Sequence, residues 1–234
     1  MKYFISLLLF FFFSRSDTFS QSPAGSDSLM NRISDSLISK SSALYTKSIR
    51  DSIVKKVKDS LFWADLKNKA IYPVIKNSEF SGVFPVMNVT EKADSTMKYK
   101  LLFNMTLWPK DSIGRRKLNE GLAEIGRIIN LHVASGVPRE NLELAIVIHG
   151  GALNTYLTND AFRKKFKTDN PNLDILRQFS DLHARLIACG QAELFFNIPA
   201  ENMITEVKTA FSARVALSTY QLKGYTLFNI EEEK

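Results

Sequence analysis

The chain contains one cysteine, Cys189, which ends an apolar run and is followed by Gly190 and Gln191. This order is typical of a buried parallel strand that delivers a side chain to the carboxyl edge of its sheet. A single thiol cannot form a disulfide within the chain. Three interpretations are therefore open: inert packing, a nucleophile or sulfur carrier, and a metal ligand.

A second apolar run ends at His149, which is followed by Gly150 and Gly151. If the two runs form neighbouring strands, these lie about 4.8 Å apart, and the imidazole and the thiol share one pocket. An imidazolium, or amide groups at the start of a following helix, would favour the thiolate. The glycines would let backbone N–H groups approach an anion. The alternative is that His149 is a structural hydrogen-bonding residue at a strand end.

Three further polar residues are candidates for lining the pocket: Gln191 beside the cysteine, and Asn130 and His132 in a helical segment. His132, His149 and Cys189 together could bind a soft metal, but no CxxC, HxH or HExxH spacing supports such a site. The sequence also lacks a Walker-type loop, a GxGxxG after the first strand and a GxSxG elbow. We therefore predict no metal and no cofactor.

The elements that must position these residues begin at Tyr99, where strand and helix patterns start to alternate. Strands are predicted at 99–106, 144–148, 186–188, 206–210 and 225–230, and helices at 113–135, 160–166, 173–183 and from about 211 to 222. Alternating strands and helices indicate a parallel sheet with helices on both faces.

The N-terminus predicts a signal peptide over residues 1–20. Lys2 precedes a short apolar run, and small residues at Thr18 and Ser20 place the mature start at Gln21. The apolar run has about ten residues, whereas a helix that spans a bilayer needs about 20. The alternative is an uncleaved membrane anchor. We expect a periplasmic or secreted protein without a transmembrane segment after cleavage.

Residues 21–70 predict a serine-rich, amphipathic helical extension. Apolar residues recur at helical intervals, and Asp-Ser-Leu/Ile occurs at positions 27, 35, 51 and 59. The extension either docks on the domain or a second protomer, or is a partly ordered spacer. Residues 71–97 predict an extended arm, because Pro73 and Pro85 disfavour helix. Residues 98–230 then form the α/β domain.

The net charge of +7 comes without a Lys/Arg block or aromatic–basic interleaving, so nucleic-acid binding is not expected.

The domain resembles the DsrE/DsrF-like family, especially secreted members found in Bacteroidetes-type bacteria. The similar segments are 99–103, 129–138, 147–151, 188–191 and 221–225. The resemblance implies a three-layer α/β/α domain with a mostly parallel five-stranded sheet, often in homo-oligomers. In sulfur-relay relatives a cysteine after the third strand accepts sulfur as a persulfide, and Cys189 matches it by strand order.

Two functions follow as expectations. The first is a periplasmic sulfurtransferase-like carrier that receives sulfane sulfur on Cys189 and exchanges it with a donor or acceptor protein. The second is a non-catalytic, oligomeric binding or assembly module of the cell envelope, suggested by the long extension.

Overall fold

The computed structural model describes residues 26–231 of the chain. The chain divides into two compact units, one ending at Leu61 and the other beginning at Phe62. The predicted signal peptide lies outside the described residues. The boundaries proposed from the sequence between extension, arm and domain stay predictions.

Helix α1 runs from Ser26 to Lys69, over a stretch that contains neither glycine nor proline. From Leu29 to Leu61 every fourth residue is apolar, apart from Ser41 and counting Tyr45 as apolar. Four residues exceed one helical turn by about 40°, so this row winds around the helix instead of keeping to one face. The apolar side chains described in this row are all exposed, from Ile33 to Leu61. In its described residues the first unit is thus a helix whose apolar side chains in this row are exposed. The amphipathic character expected of the extension stays a prediction.

The second unit is built on a five-stranded sheet in which all strands are parallel, with the order β4-β3-β2-β1-β5. The strands are β1 (Tyr99–Met105), β2 (Leu142–Ile148), β3 (Arg185–Cys189), β4 (Lys208–Ala210) and β5 (Thr226–Ile230). The helices are α2 (Glu120–Ala134), α3 (Asn159–Phe166), α4 (Leu173–Asp181), α5 (Gly190–Phe195) and α6 (Ala213–Leu222). With helices on both faces, this confirms the predicted three-layer α/β/α fold, and the sheet is wholly rather than mostly parallel.

The central strands explain this topology. Strand β2 is apolar and buried at nearly every position, as a strand must be when helices cover both faces of its sheet. Phe103 of β1 is opposite Phe228 of β5, and the two rings stack on the face that carries α2. The next residues along these strands point to the other face, where α6 packs on β1 and β2.

The helix predicted over 113–135 was wrong at its start. A short 3₁₀ turn covers Gly114–Arg116, and α2 begins only at Glu120. Asn119 ends the loop because its side-chain oxygen accepts a hydrogen bond from the backbone N–H of Gly121, which is an N-cap interaction.

The segment predicted as an extended arm contains a 3₁₀ turn at Glu79–Ser81 and is part of the second unit. Ile71 and Val83 form an antiparallel bridge, and Ile75 is fully buried in the core. The bridge closes the segment on itself, and the buried side chain of Ile75 attaches it to the core of the unit.

Candidate functional site at the carboxyl ends of strands β2 and β3

Cys189 and His149 occupy neighbouring positions at the carboxyl edge of the sheet. Ile148 is paired with Ala188 in the ladder between β2 and β3. His149 directly follows Ile148, and Cys189 directly follows Ala188. Both have extended backbones that continue their strands. Because side chains alternate between the faces of a sheet, both side chains project to the α6 face. The structure therefore brings together the two residues that the sequence singled out.

The thiol of Cys189 is held against the first turn of α6. Only 6 % of the residue is exposed, and its Sγ accepts a hydrogen bond of 3.2 Å from the backbone N–H of Ala213. Ser212 caps the same helix by accepting from the N–H of Val215. An amide at a helix N-terminus interacts better with a thiolate than with a thiol, because the dipole of the helix favours negative charge there.

His149 is tied to the strand on its other side. Its backbone N–H donates to the carbonyl of Met105, and its Nε2 lies 2.9 Å from Oδ1 of Asn104. Burial, followed by the positive charge of Arg214, lowers the pKa of His149 below its usual value. The ring is therefore neutral at pH 7. Of the two ways to favour a thiolate that the sequence suggested, the structure provides the helix amide and not an imidazolium.

The three glycines of the site are explained by two features of the structure, backbone conformation at one position and close packing at the other two. Gly150 has a φ of +62°, a conformation that strains other residues. A Cβ on Gly151 would lie 2.8 Å from the ring of Trp108, and one on Gly190 would lie 2.9 Å from the carbonyl oxygen of Ala210. Gly151 and Gly190 thus allow close packing around the strand ends.

Gln191, the third residue of the cysteine motif, lies on the surface. Its Nε2 is 3.4 Å from the carbonyl oxygen of Phe211, so it links the start of α5 to the loop before α6. This contact holds the side chain of Gln191 in a bridging position on the surface, and its role in lining a pocket stays a prediction.

Asn130 and His132 lie away from Cys189. The ring of His132 packs edge-on against Tyr99 and Phe228, which places it on the α2 face of the sheet. Asn130 is fully buried and binds the backbone of the segment from Val74 to Ser81. The sheet separates His132 from His149 and Cys189, so these three do not form a metal site. In the part of the chain from 26 to 231, no cluster of three or more His, Cys, Asp or Glu residues could hold a metal ion.

Two residues of the site were missed in the sequence. Asn104 interrupts the apolar strand β1, and a single amide in such a strand was the signal that could have found it. Arg214 is the second residue after Ser212, which caps α6, and nothing in its sequence context links it to His149.

Exposed apolar side chains surround the site. Leu194 and Phe195 of α5 are about four-fifths exposed, at 79 % and 82 %. Phe211, just before α6, is 79 % exposed, and Val215 within α6 is 52 % exposed. An apolar surface of this kind is typical of a site that contacts another protein.

Fold and strand-end chemistry together define an α/β/α protein of parallel-sheet type with a cysteine at the end of its third strand. Residues 116–230 match the profile of the DsrE/DsrF-like family, which is associated with sulfur relay. The match confirms the resemblance to the family over these residues, whereas the resemblance to secreted members from Bacteroidetes-type bacteria stays a prediction.

Among solved structures, the chain is similar to a protein of unknown function from Methanobacterium thermoautotrophicum. The two share 12 % sequence identity with a TM-score of 0.41, over 56 % of this chain and 98 % of the other. The comparison with curated proteins gave no match. Within residues 26–231, none of the helices combines the length and apolar character needed to cross a membrane.

Proposed function

We propose that the protein is a periplasmic sulfur-handling protein that carries sulfane sulfur as a persulfide on Cys189. The observation that carries this proposal is the hydrogen bond from the Ala213 amide to Sγ, at the end of a strand within the segment that matches a sulfur-relay family. Export rests on the predicted signal peptide.

The reaction requires only a thiolate and a donor persulfide. The Cys189 thiolate attacks the outer sulfur of the donor R–S–SH, a new S–S bond forms, and the old S–S bond breaks with its electron pair on R–S⁻. Attack of an acceptor thiolate on the outer sulfur of the Cys189 persulfide then regenerates the Cys189 thiolate. No external oxidant or reductant is consumed, because each step exchanges one S–S bond for another.

The partners we propose are a sulfur donor or acceptor protein and further copies of the chain. Leu194, Phe195 and Phe211 present an apolar surface beside the cysteine, which favours a protein over a free small molecule as the partner. Only 6 % of Cys189 is exposed, so the partner must reach Sγ beside the first turns of α5 and α6, the two helices that start next to it.

The native protein is expected to react with iodoacetamide at about pH 6 faster than the same protein in guanidinium chloride. The Ala213 amide donates a hydrogen bond to Sγ only in the folded state, and an amide donor at a helix N-terminus favours the nucleophilic form of the sulfur. Intact-mass spectrometry gives both rates. A thiol that reacts only after denaturation would make Cys189 a packing residue and contradict the carrier role.

The second candidate function is an assembly module, and the exposed apolar side chains of α1 favour it. Ile33, Leu37, Tyr45, Ile53 and Leu61 are each about half exposed or more, and a helix of this kind is stabilised by a partner. We therefore expect this helix to contribute to oligomerisation.

Removal of residues 21–61 is expected to lower the oligomeric state, measured by light scattering after size-exclusion chromatography. The deletion leaves the second unit, which begins at Phe62, intact. The matched control replaces the solvent-facing polar residues Ser39 and Ser42 by alanine and should keep the oligomer. An unchanged mass per particle after the deletion, with unchanged partners in a pull-down, would count against the assembly role.

A further inference from the structure

Asn104 is the polar member of an otherwise buried strand. The neighbours of Asn104 along β1 are all buried: Leu101, Leu102, Phe103 and Met105. The side chain of Asn104 projects to the α6 face. Its side chain makes hydrogen bonds in both directions across the sheet. An amide in such a position is costly unless both of its ends are bonded, which is the case here.

The two bonds fix the role of each atom of the amide. Nδ2 of Asn104 donates to Oδ1 of Asn229 on β5, at 2.9 Å. Oδ1 of Asn104 is therefore the atom that faces His149, and a carbonyl oxygen can only accept. The hydrogen bond of 2.9 Å between Oδ1 and Nε2 of His149 thus needs a proton on Nε2.

The other ring nitrogen of His149, Nδ1, carries no proton when Nε2 is protonated. Since burial and the charge of Arg214 keep His149 neutral, a proton on Nε2 leaves the lone pair of Nδ1 unprotonated. His149 and Cys189 follow directly on the paired residues Ile148 and Ala188 and share a face of the sheet. The basic nitrogen is therefore carried by the residue next to the thiol in the ladder.

We propose that Asn104 is a positioning residue that holds His149 in the tautomer protonated at Nε2, so that Nδ1 accepts the proton of the Cys189 thiol. This inference rests on the proposed function and adds the proton path to it. The proton moves from Sγ to Nδ1, and the resulting imidazolium keeps its Nε2–H bond to Asn104. When the donor persulfide is cleaved, its leaving thiolate takes the proton from Nδ1, which restores neutral His149.

The test compares Asn104→Leu, Asn104→Asp and Asn229→Asp with the wild type in the full chain. Nitrogen-15 NMR of labelled histidine reports the tautomer of His149. The second readout is the rate of persulfide formation on Cys189 with polysulfide as the sulfur donor. Asn104→Leu removes the acceptor and should populate the Nδ1–H tautomer and slow persulfide formation about tenfold, part of the contribution typical of a general base. Asn104→Asp keeps an acceptor and should restore both readouts. Asn229→Asp keeps an acceptor for Nδ2, so Oδ1 of Asn104 should still face His149 and the proton should stay on Nε2.

The outcomes separate this inference from the proposed function. A wild type with its proton on Nδ1, or an Asn104→Leu protein with unchanged tautomer and unchanged rate, overturns the role of Asn104 while persulfide formation stands. A wild type that gains no sulfur at all overturns the proposed function and, with it, the proton path. If Asn104→Leu does not fold, the tautomer and rate of the wild type and of Asn104→Asp still decide between these results.

Discussion

Replacement of Cys189 by serine is expected to abolish the gain of one sulfur atom per chain after treatment with polysulfide, measured by intact mass. Cys189 is the only cysteine of the sequence, so the variant has no thiol that can form a persulfide. Serine is close in size, and its oxygen can accept the hydrogen bond from Ala213 in place of Sγ. The fold should therefore be retained, with a change of about 1 kcal/mol or less in the free energy of unfolding.

A second variant separates the environment of Cys189 from the mere presence of a thiol. Ser218 is exposed on α6, and Ser218→Cys in the Cys189→Ser background supplies a solvent-accessible thiol on the same helix. This thiol should react with iodoacetamide at about pH 6 more slowly than Cys189, because no helix amide stabilises its thiolate. A mass gain in the Cys189→Ser protein equal to that of the wild type would rule out the carrier role. Equal reactivity of the two thiols would remove the special role of the Ala213 contact.

The strands of the sheet could be predicted from the sequence because their signal is local. The run from Leu144 to Ile148 is apolar throughout, and only burial on both faces explains such a run in a short segment. The start of α2 could not be placed by the same reasoning. Ile113 and Leu118 fit the helical spacing of the residues that follow, but the cap at Asn119 depends on a side-chain bond that spacing does not reveal.

The site was predictable only in part, for a geometric reason. Cys189 and His149 end neighbouring strands and share one face of the sheet because of the register of β2 and β3. One sequence does not show this register. Asn130 and His132 were both assigned to the pocket, yet they lie two residues apart on a helix. Two residues correspond to about 200° of rotation, so their side chains point in nearly opposite directions.

Asn130, which was assigned to the pocket, instead binds the backbone of a neighbouring segment. Its Oδ1 accepts from the backbone N–H groups of Val74 and Ile75, at 3.0 and 2.9 Å. Its Nδ2 donates to the carbonyls of Ile75 and Ser81, at 2.7 and 2.8 Å. The residue is fully buried, so one amide satisfies four backbone groups of the segment that packs on α2.

Asn130→Ala is therefore expected to lower the free energy of unfolding by about 4 kcal/mol, measured by urea denaturation, because each buried group left without a partner costs about 1–3 kcal/mol. Asn77→Ala is the matched control from the same segment. It removes one exposed hydrogen bond to Asp174 and should change the stability by about 0.5 kcal/mol or less. Equal effects of the two substitutions would contradict the anchoring role. Because Asn130 lies away from the thiol, its variant should still form the Cys189 persulfide under conditions where it remains folded. Loss of persulfide formation in the folded variant would return Asn130 to the site, where the sequence first placed it.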